Sequence, residues 1–98
     1  MRVEEAKSKA MKFDGQGDFA GHRFHLRIDS EHKGVLIVDA SRLIFLNGTA
    51  VDYVAHILAG DDEIKTFKAM ARHYRGLKKS DAVEDYNLVR NQLSNYLG

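Results

Sequence analysis

Cysteine is absent from the 98 residues, which excludes disulfides, thiolate zinc sites, cysteine-ligated iron–sulfur clusters and a cysteine nucleophile. That absence fits a reducing compartment. Long apolar runs are missing too. The longest aliphatic or aromatic stretches are Val35–Val38 and Leu43–Leu46, against the roughly 18–20 residues a bilayer-spanning helix requires. The N-terminus, Met1-Arg2-Val3-Glu4-Glu5, is charged and leads into no apolar stretch of the kind a secretory signal needs. The expected location is therefore cytoplasmic, with no membrane partner.

An excess of one charge is also lacking, because 15 Lys and Arg meet 14 Asp and Glu for a net charge of +1. Nothing in that balance would neutralise a phosphate backbone or an anionic membrane surface. The length suits one small domain. A domain of this size buries about 60–70% of the surface its unfolded chain exposes, enough for one core but not for a large enclosed cavity. The chain is not expected to be an enzyme or to carry a cofactor.

Residues 1–21 read as an N-terminal tail or short helix plus loop, because Gly15, Gly17 and Gly21 cluster among polar residues while Val3, Ala6, Ala10, Met11 and Phe13 are only loosely periodic. Residues 22–98 read as the domain proper. There Phe24, Leu26 and Ile28 alternate with Arg23, His25 and Arg27, the period-two pattern of a half-buried strand. Polar Asp29–Gly34 turns the chain into a second strand, Val35–Asp39. A tight Ala40-Ser41 connection, with Asp39 bonding the backbone two residues on, leads to a third strand at Arg42–Leu46.

Three helices are expected next. Asn47 and Thr49 are good N-cap residues ahead of Ala50, Tyr53, Val54, Ile57 and Leu58, and Gly60 supplies the stop. Asp61 and Asp62 favour a second start, followed by an apolar stripe through Ile64, Phe67, Met70, Ala71 and Tyr74 to near Gly76. Ser80 or Asp81 caps a third helix striped by Ala82, Tyr86, Val89, Leu93 and Tyr96 or Leu97. The fold class is thus α+β, a three-stranded antiparallel sheet followed by three helices. The second and third strands are apolar at successive positions, so something must cover the second sheet face. The cover is the N-terminal segment through Met11 and Phe13, a second copy of the chain in a homodimer, or a different protein.

Several motifs weigh little against simpler readings. Gly15-Gln16-Gly17-Asp18-Phe19-Ala20 matches the dinucleotide fingerprint in form, yet that motif works only between a strand and a helix N-terminus, so a plain loop is the better reading. Asn47-Gly48-Thr49 is a glycosylation sequon whose residues are better explained as helix caps. His22 and His25 are three apart on a strand and point to opposite faces, while His32, His56 and His73 share no i, i+3 or i+4 spacing, so no metal site is expected. Lys65, Lys68, Arg72, Arg75, Lys78 and Lys79 give residues 64–79 six basic side chains and no acidic one. A solvated face is the common reading of such a stretch, and nucleic acid or an acidic partner the alternative. The third helix opens on Asp81, Glu84 and Asp85, which would repel phosphates.

Leu46-Asn47-Gly48-Thr49-Ala50, preceded by two apolar strands and followed by Ile57-Leu58-Ala59-Gly60, resembles the Leu-Asn-x-Thr-Ala … Asp-Gly core of PqqD-like proteins. These RiPP recognition elements are leader-peptide-binding domains of pathways that modify ribosomally made peptides. The resemblance covers about residues 22–98. It departs from the family pattern at the turn between strands two and three, which lacks Pro and Gly, and at Ala59, which stands where Asp is usual. The resemblance implies a winged helix-turn-helix-like, non-catalytic module that presents a precursor peptide to a modifying enzyme, often a radical S-adenosylmethionine enzyme. It also implies that the leader peptide adds as a strand beside Arg42, Leu43, Ile44 and Phe45 and lies against Tyr86, Val89, Arg90 and Leu93. Periodicity alone makes Tyr86, Val89 and Leu93 core residues, whereas Arg90 sits beside the stripe, where it suits an acidic peptide residue or plain solvent. Any radical chemistry belongs to a partner or another domain, since this chain has no cysteine to hold the cluster. The competing functional reading is a winged-helix DNA-binding regulator.

Overall fold

In a computed structural model, which describes residues 9–98, the chain is an antiparallel sheet followed by helices. The strands are β1 (Lys9–Asp14), β2 (Arg23–Ile28), β3 (Gly34–Val38) and β4 (Arg42–Leu46); the helices are α1 (Thr49–Leu58), α2 (Glu63–Ala71) and α3 (Lys79–Leu97). The sheet has four strands in the order β1-β2-β3-β4, which corrects the three-stranded expectation. The extra strand is made by part of the segment read as tail or short helix; residues 1–8 of that reading lie outside the described residues. One compact unit runs to Val51 and the other begins at Asp52.

The fourth strand has a simple cause. In Lys9–Asp14, Met11 and Phe13 alternate with exposed Ala10, Lys12 and Asp14, and the register sets Met11 opposite Leu26 and Phe13 opposite Phe24. Both apolar side chains therefore share the face of Phe24 and Leu26, which are completely buried, and the second edge of β2 gains backbone partners. Met11 and Phe13 consequently do not cover the second sheet face; they extend the first.

The link from β1 to β2 is a short 3-10 turn, Gly17–Phe19, that drives Phe19 inward to 2% exposure. Its ring meets Phe24 edge-on, centroids 6.3 Å apart, a favoured aromatic geometry. The dinucleotide-like glycine motif is thus a hairpin connection with no helix behind it. In the β2–β3 turn, Asp29 Oδ1 accepts from the N–H groups of Glu31 and Lys33 at 2.8 and 3.0 Å. These donors, Lys33 first, hold the Asp29 carboxyl below its ordinary range.

Between β3 and β4, Asp39 and Ala40 both take positive φ, 52° and 59°, and the Ser41 N–H donates to the Val38 carbonyl at 3.1 Å, a mirror-image tight turn. The Asp39 carboxylate does not bond forward as expected. It accepts from the Arg23 N–H at 2.8 Å and meets His22 Nδ1 at 2.7 Å, tying the β3–β4 turn to the start of β2. Ala40 has no such compensation, and an L-residue in the left-handed region costs about 1–2 kcal/mol. Ala40→Gly should therefore raise stability by about 0.5–1 kcal/mol, after allowing for the looser unfolded chain, as measured by denaturant unfolding.

In the second unit, helix boundaries follow their caps. The Gly60 N–H donates to the Ile57 carbonyl and the Asp61 N–H to that of His56, at 3.1 and 3.0 Å, with Gly60 at φ 89°, which is a Schellman stop to α1. Asp62 caps α2 by accepting from the Lys65 N–H at 2.8 Å. α3 starts ahead of the expected caps: Lys78 occupies the cap position with no side-chain hydrogen bond. α2 and α3 pack on each other. The Tyr86 hydroxyl donates to the Asp61 carbonyl at 2.6 Å, and that of Tyr74 to Asp52 Oδ2 at 2.5 Å. The Asp52 carboxylate pushes the Tyr74 phenol up to about 12.

Asp61 is the junction's electrostatic hub, meeting His56 Nδ1 at 2.8 Å and Lys65 Nζ at 3.3 Å with its side chain 16% exposed. The His56 hydrogen bond chiefly holds its carboxyl below the ordinary 3.8. A depressed carboxyl favours folding while it is ionised, so its contribution is complete above 3.8 and fades as pH falls through the lower folded value. Melting temperature should hence be flat in this respect above about pH 5 and fall below pH 4. Asp61→Asn should flatten the acid limb, as thermal melts from pH 2.5 to 7 would show.

Candidate functional site

The sheet has two outer edges, and they are built differently. β1 presents Lys9, Lys12 and Asp14, the charged residues by which proteins guard an open edge against pairing. β4 presents Arg-Leu-Ile-Phe-Leu, with only Arg42 charged. Because the extra strand β1 pairs with β2, β4 keeps a side that no described strand pairs with, the edge anticipated from sequence.

Along β4, Leu43 is 54% and Phe45 77% exposed, whereas Ile44 is half-buried. Register explains the alternation. Ile44 lies opposite buried Leu36, and Leu43 and Phe45 lie opposite half-buried Ile37 and Val35 on the other face. Exposing a Phe to that degree forfeits roughly 1.5–3 kcal/mol of burial. Arg42 is exposed at the turn end and has interactions of its own.

The other four predicted residues lie on α3, in the second unit. Tyr86 and Leu93 are each 5% exposed and belong to that unit's packed interior. Burial raises the Tyr86 phenol above its ordinary value, while the neighbouring Arg90 guanidinium opposes the shift. Val89 and Arg90 are half-buried, and Arg90 lies against Tyr86. The structure thus brings Arg42, Leu43, Ile44 and Phe45 together on one edge, and Tyr86 and Arg90 together on one helix.

Sequence reading missed the rest of the second sheet face. Two four-strand rows run over it, Lys12, His25, Ile37, Leu43 and Ala10, Arg27, Val35, Phe45, and Asp14 lies opposite Arg23 on the same face. At the Gly34 end the surface is concave, with Lys9, Arg27, Lys33, Val35 and Phe45 among its lining. The Lys12 row was visible in the sequence only once Lys9–Asp14 was placed as a strand.

Among the described residues no three His, Asp or Glu side chains gather as a metal-ligand cluster, and no helix is long and apolar enough to cross a membrane. No family model, curated protein or solved structure matches the chain.

Proposed function

We propose that the chain is a non-catalytic peptide-binding module whose β4 edge takes up an extended segment of another polypeptide. The observation that carries the reading is the contrast between the two edges: β1 is guarded by charge, while β4 leaves Leu43 and Phe45 exposed beside backbone that no described strand pairs with. Main-chain hydrogen bonds to an added strand supply affinity, and alternate side chains supply choice. The likeness of Leu46–Ala50 to PqqD-like proteins supports identifying the segment as the leader of a ribosomally made precursor. The second partner is then the enzyme that modifies the peptide, a radical S-adenosylmethionine enzyme in the proposal's specific form.

Titration of the fluorescently labelled 98-residue protein with leader peptides encoded beside its gene tests the reading. Saturable binding to one of them is expected. A folded protein that binds none of them overturns it. In the same titration Arg90→Ala reports on α3 by itself: lower affinity adds α3 to the site, and unchanged affinity confines it to β4.

A DNA-binding regulator is the second reading, favoured by six cations between Lys65 and Lys79 that are all exposed. Against it, Lys65 already pairs with Asp61 and Asp81, Glu84 and Asp85 are exposed on α3. Genuine duplex binding would weaken steeply with salt, so salt-insensitive or absent binding removes it.

A further inference from the structure

The second sheet face divides in two along the strands. Its β3–β4 half is apolar, formed by Val35, Ile37, Leu43 and Phe45, and its β1–β2 half is net cationic, with Lys12, Arg23 and Arg27 exposed against the single acid Asp14. No ion pair joins Lys12 or Arg27 to a described residue. Asp14, two residues from Lys12 on the same face, is exposed opposite Arg23, and the acids of the flanking turns are engaged elsewhere. Asp39 accepts from the Arg23 N–H and meets His22, Asp29 accepts from two N–H groups of its own turn, and Glu31 pairs with Lys33 at 3.3 Å.

We propose that this face docks an acidic amphipathic α-helix of a partner protein, its apolar stripe over β3–β4 and its carboxylates over Lys12 and Arg27. The dimensions fit. Four strands about 4.8 Å apart span roughly 14–15 Å, wide enough for one helix of about 10 Å diameter to touch both halves at once. Five-residue strands are about 17 Å long, matching some 11 residues of helix at 1.5 Å each.

A second copy of the chain fits the face poorly. Full overlap of two such faces would set cations against cations, and overlap of the apolar halves alone covers only about 10 by 17 Å. That is well short of the roughly 800 Å² per partner of a stable interface. An acidic partner adds charge-assisted contacts that a small apolar patch lacks.

The face shares Leu43 and Phe45 with the proposed β4 edge, but its cationic half, Lys12 and Arg27, stands on β1 and β2, so charge reversal there tests the docking apart from the edge. The probe is a synthetic helix-stapled peptide of 14 residues with Leu at i, i+3, i+4 and i+7 and Glu along one flank. Its twins carry Lys for Glu, or Ser for Leu. Fluorescence anisotropy of each is read against the 98-residue protein, with amide NMR shifts locating the contact.

Expected are at least tenfold tighter binding of the Glu–Leu peptide than of either twin, and shifts centred on Lys12, Arg27, Val35 and Ile37. The double variant K12E/R27E should reverse the preference toward the Lys twin while leaving leader titrations unchanged. Should that variant fail to fold, Arg27→Gln is expected to weaken the Glu–Leu peptide at least threefold. Equal binding of all three peptides, a preference that survives charge reversal, or binding to phosphatidylglycerol vesicles in place of the peptide overturns the proposal. Concentration-dependent dimerisation blocked by K12E/R27E overturns it equally.

Discussion

Gly15→Ala should be the most damaging single methyl group in the first unit. A Cβ at Gly15 would lie 1.7 Å from the Phe19 carbonyl oxygen and 2.6 Å from its carbon. Both are backbone atoms, so no rotamer change relieves the clash. The Gly15 N–H also donates to the His22 carbonyl at 2.8 Å, which fixes the glycine from the other side. The 3-10 turn must then shift, and Phe19 leaves its buried place against Phe24. Losing a buried Phe from a core costs about 3–5 kcal/mol, a large part of the roughly 5–15 kcal/mol that holds a domain folded. The expected drop in melting temperature is on the order of 15–30 °C. Gly21→Ala is the control, since Gly21 has positive φ but open space around it and should lose only about 1–2 kcal/mol. If the two variants melt together, the close approach at Phe19 is not what demands glycine at position 15.

That glycine marks the limit of the sequence reading. Gly15, Gly17 and Gly21 announced a loop, but not that the loop was the short connection of a hairpin. Period-two alternation identified β2 because Phe24, Leu26 and Ile28 face three basic neighbours. In Lys9–Asp14 only Met11 and Phe13 carry the signal, two positions among a run of small and charged residues, and their meaning rests on pairing with Leu26 and Phe24. Strand pairing is non-local, and nothing within six residues encodes it. The helices were more legible because their signals are local. Gly60 and Asp62 act where the sequence put them, through a Schellman stop and a side-chain cap. Lys78, by contrast, starts α3 with no capping side chain, so neither Ser80 nor Asp81 marked the true boundary.

The missed strand altered the sheet without altering the candidate edge. β1 joins on the far side of β2 and leaves β4 outermost, so the reading of Arg42–Leu46 as an edge did not depend on counting strands correctly. What it could not supply was the asymmetry between the two edges, or the cationic half of the outer face. The first comes from the side chains of β1, and the second from Lys12 of β1 on the same face as Arg27 of β2.

Proline in β4 should separate the fold from its proposed use. Successive residues of an edge strand aim their N–H groups to opposite sides, one into the sheet and the next outward. Of Leu43→Pro and Ile44→Pro, therefore, one removes a donor that β3 needs and the other a donor open to an incoming strand. The first should lose sheet stability, by about 3 kcal/mol or more if the β3–β4 ladder opens. The second should keep the native circular dichroism spectrum and melt within a few degrees of the parent. In that folded variant an added strand loses one main-chain hydrogen bond, about 0.5–1.5 kcal/mol, and meets the proline ring along its path. The expected result is a fall in leader-peptide affinity of at least tenfold. Phe45→Ser supplies the side-chain half of the comparison: it leaves every β4 N–H in place and should cost less affinity than the folded proline variant, because backbone pairing carries the attachment. Unchanged affinity in the folded proline variant would move the peptide off β4. A larger loss from Phe45→Ser than from proline would turn the site from an edge into a side-chain pocket on the outer face.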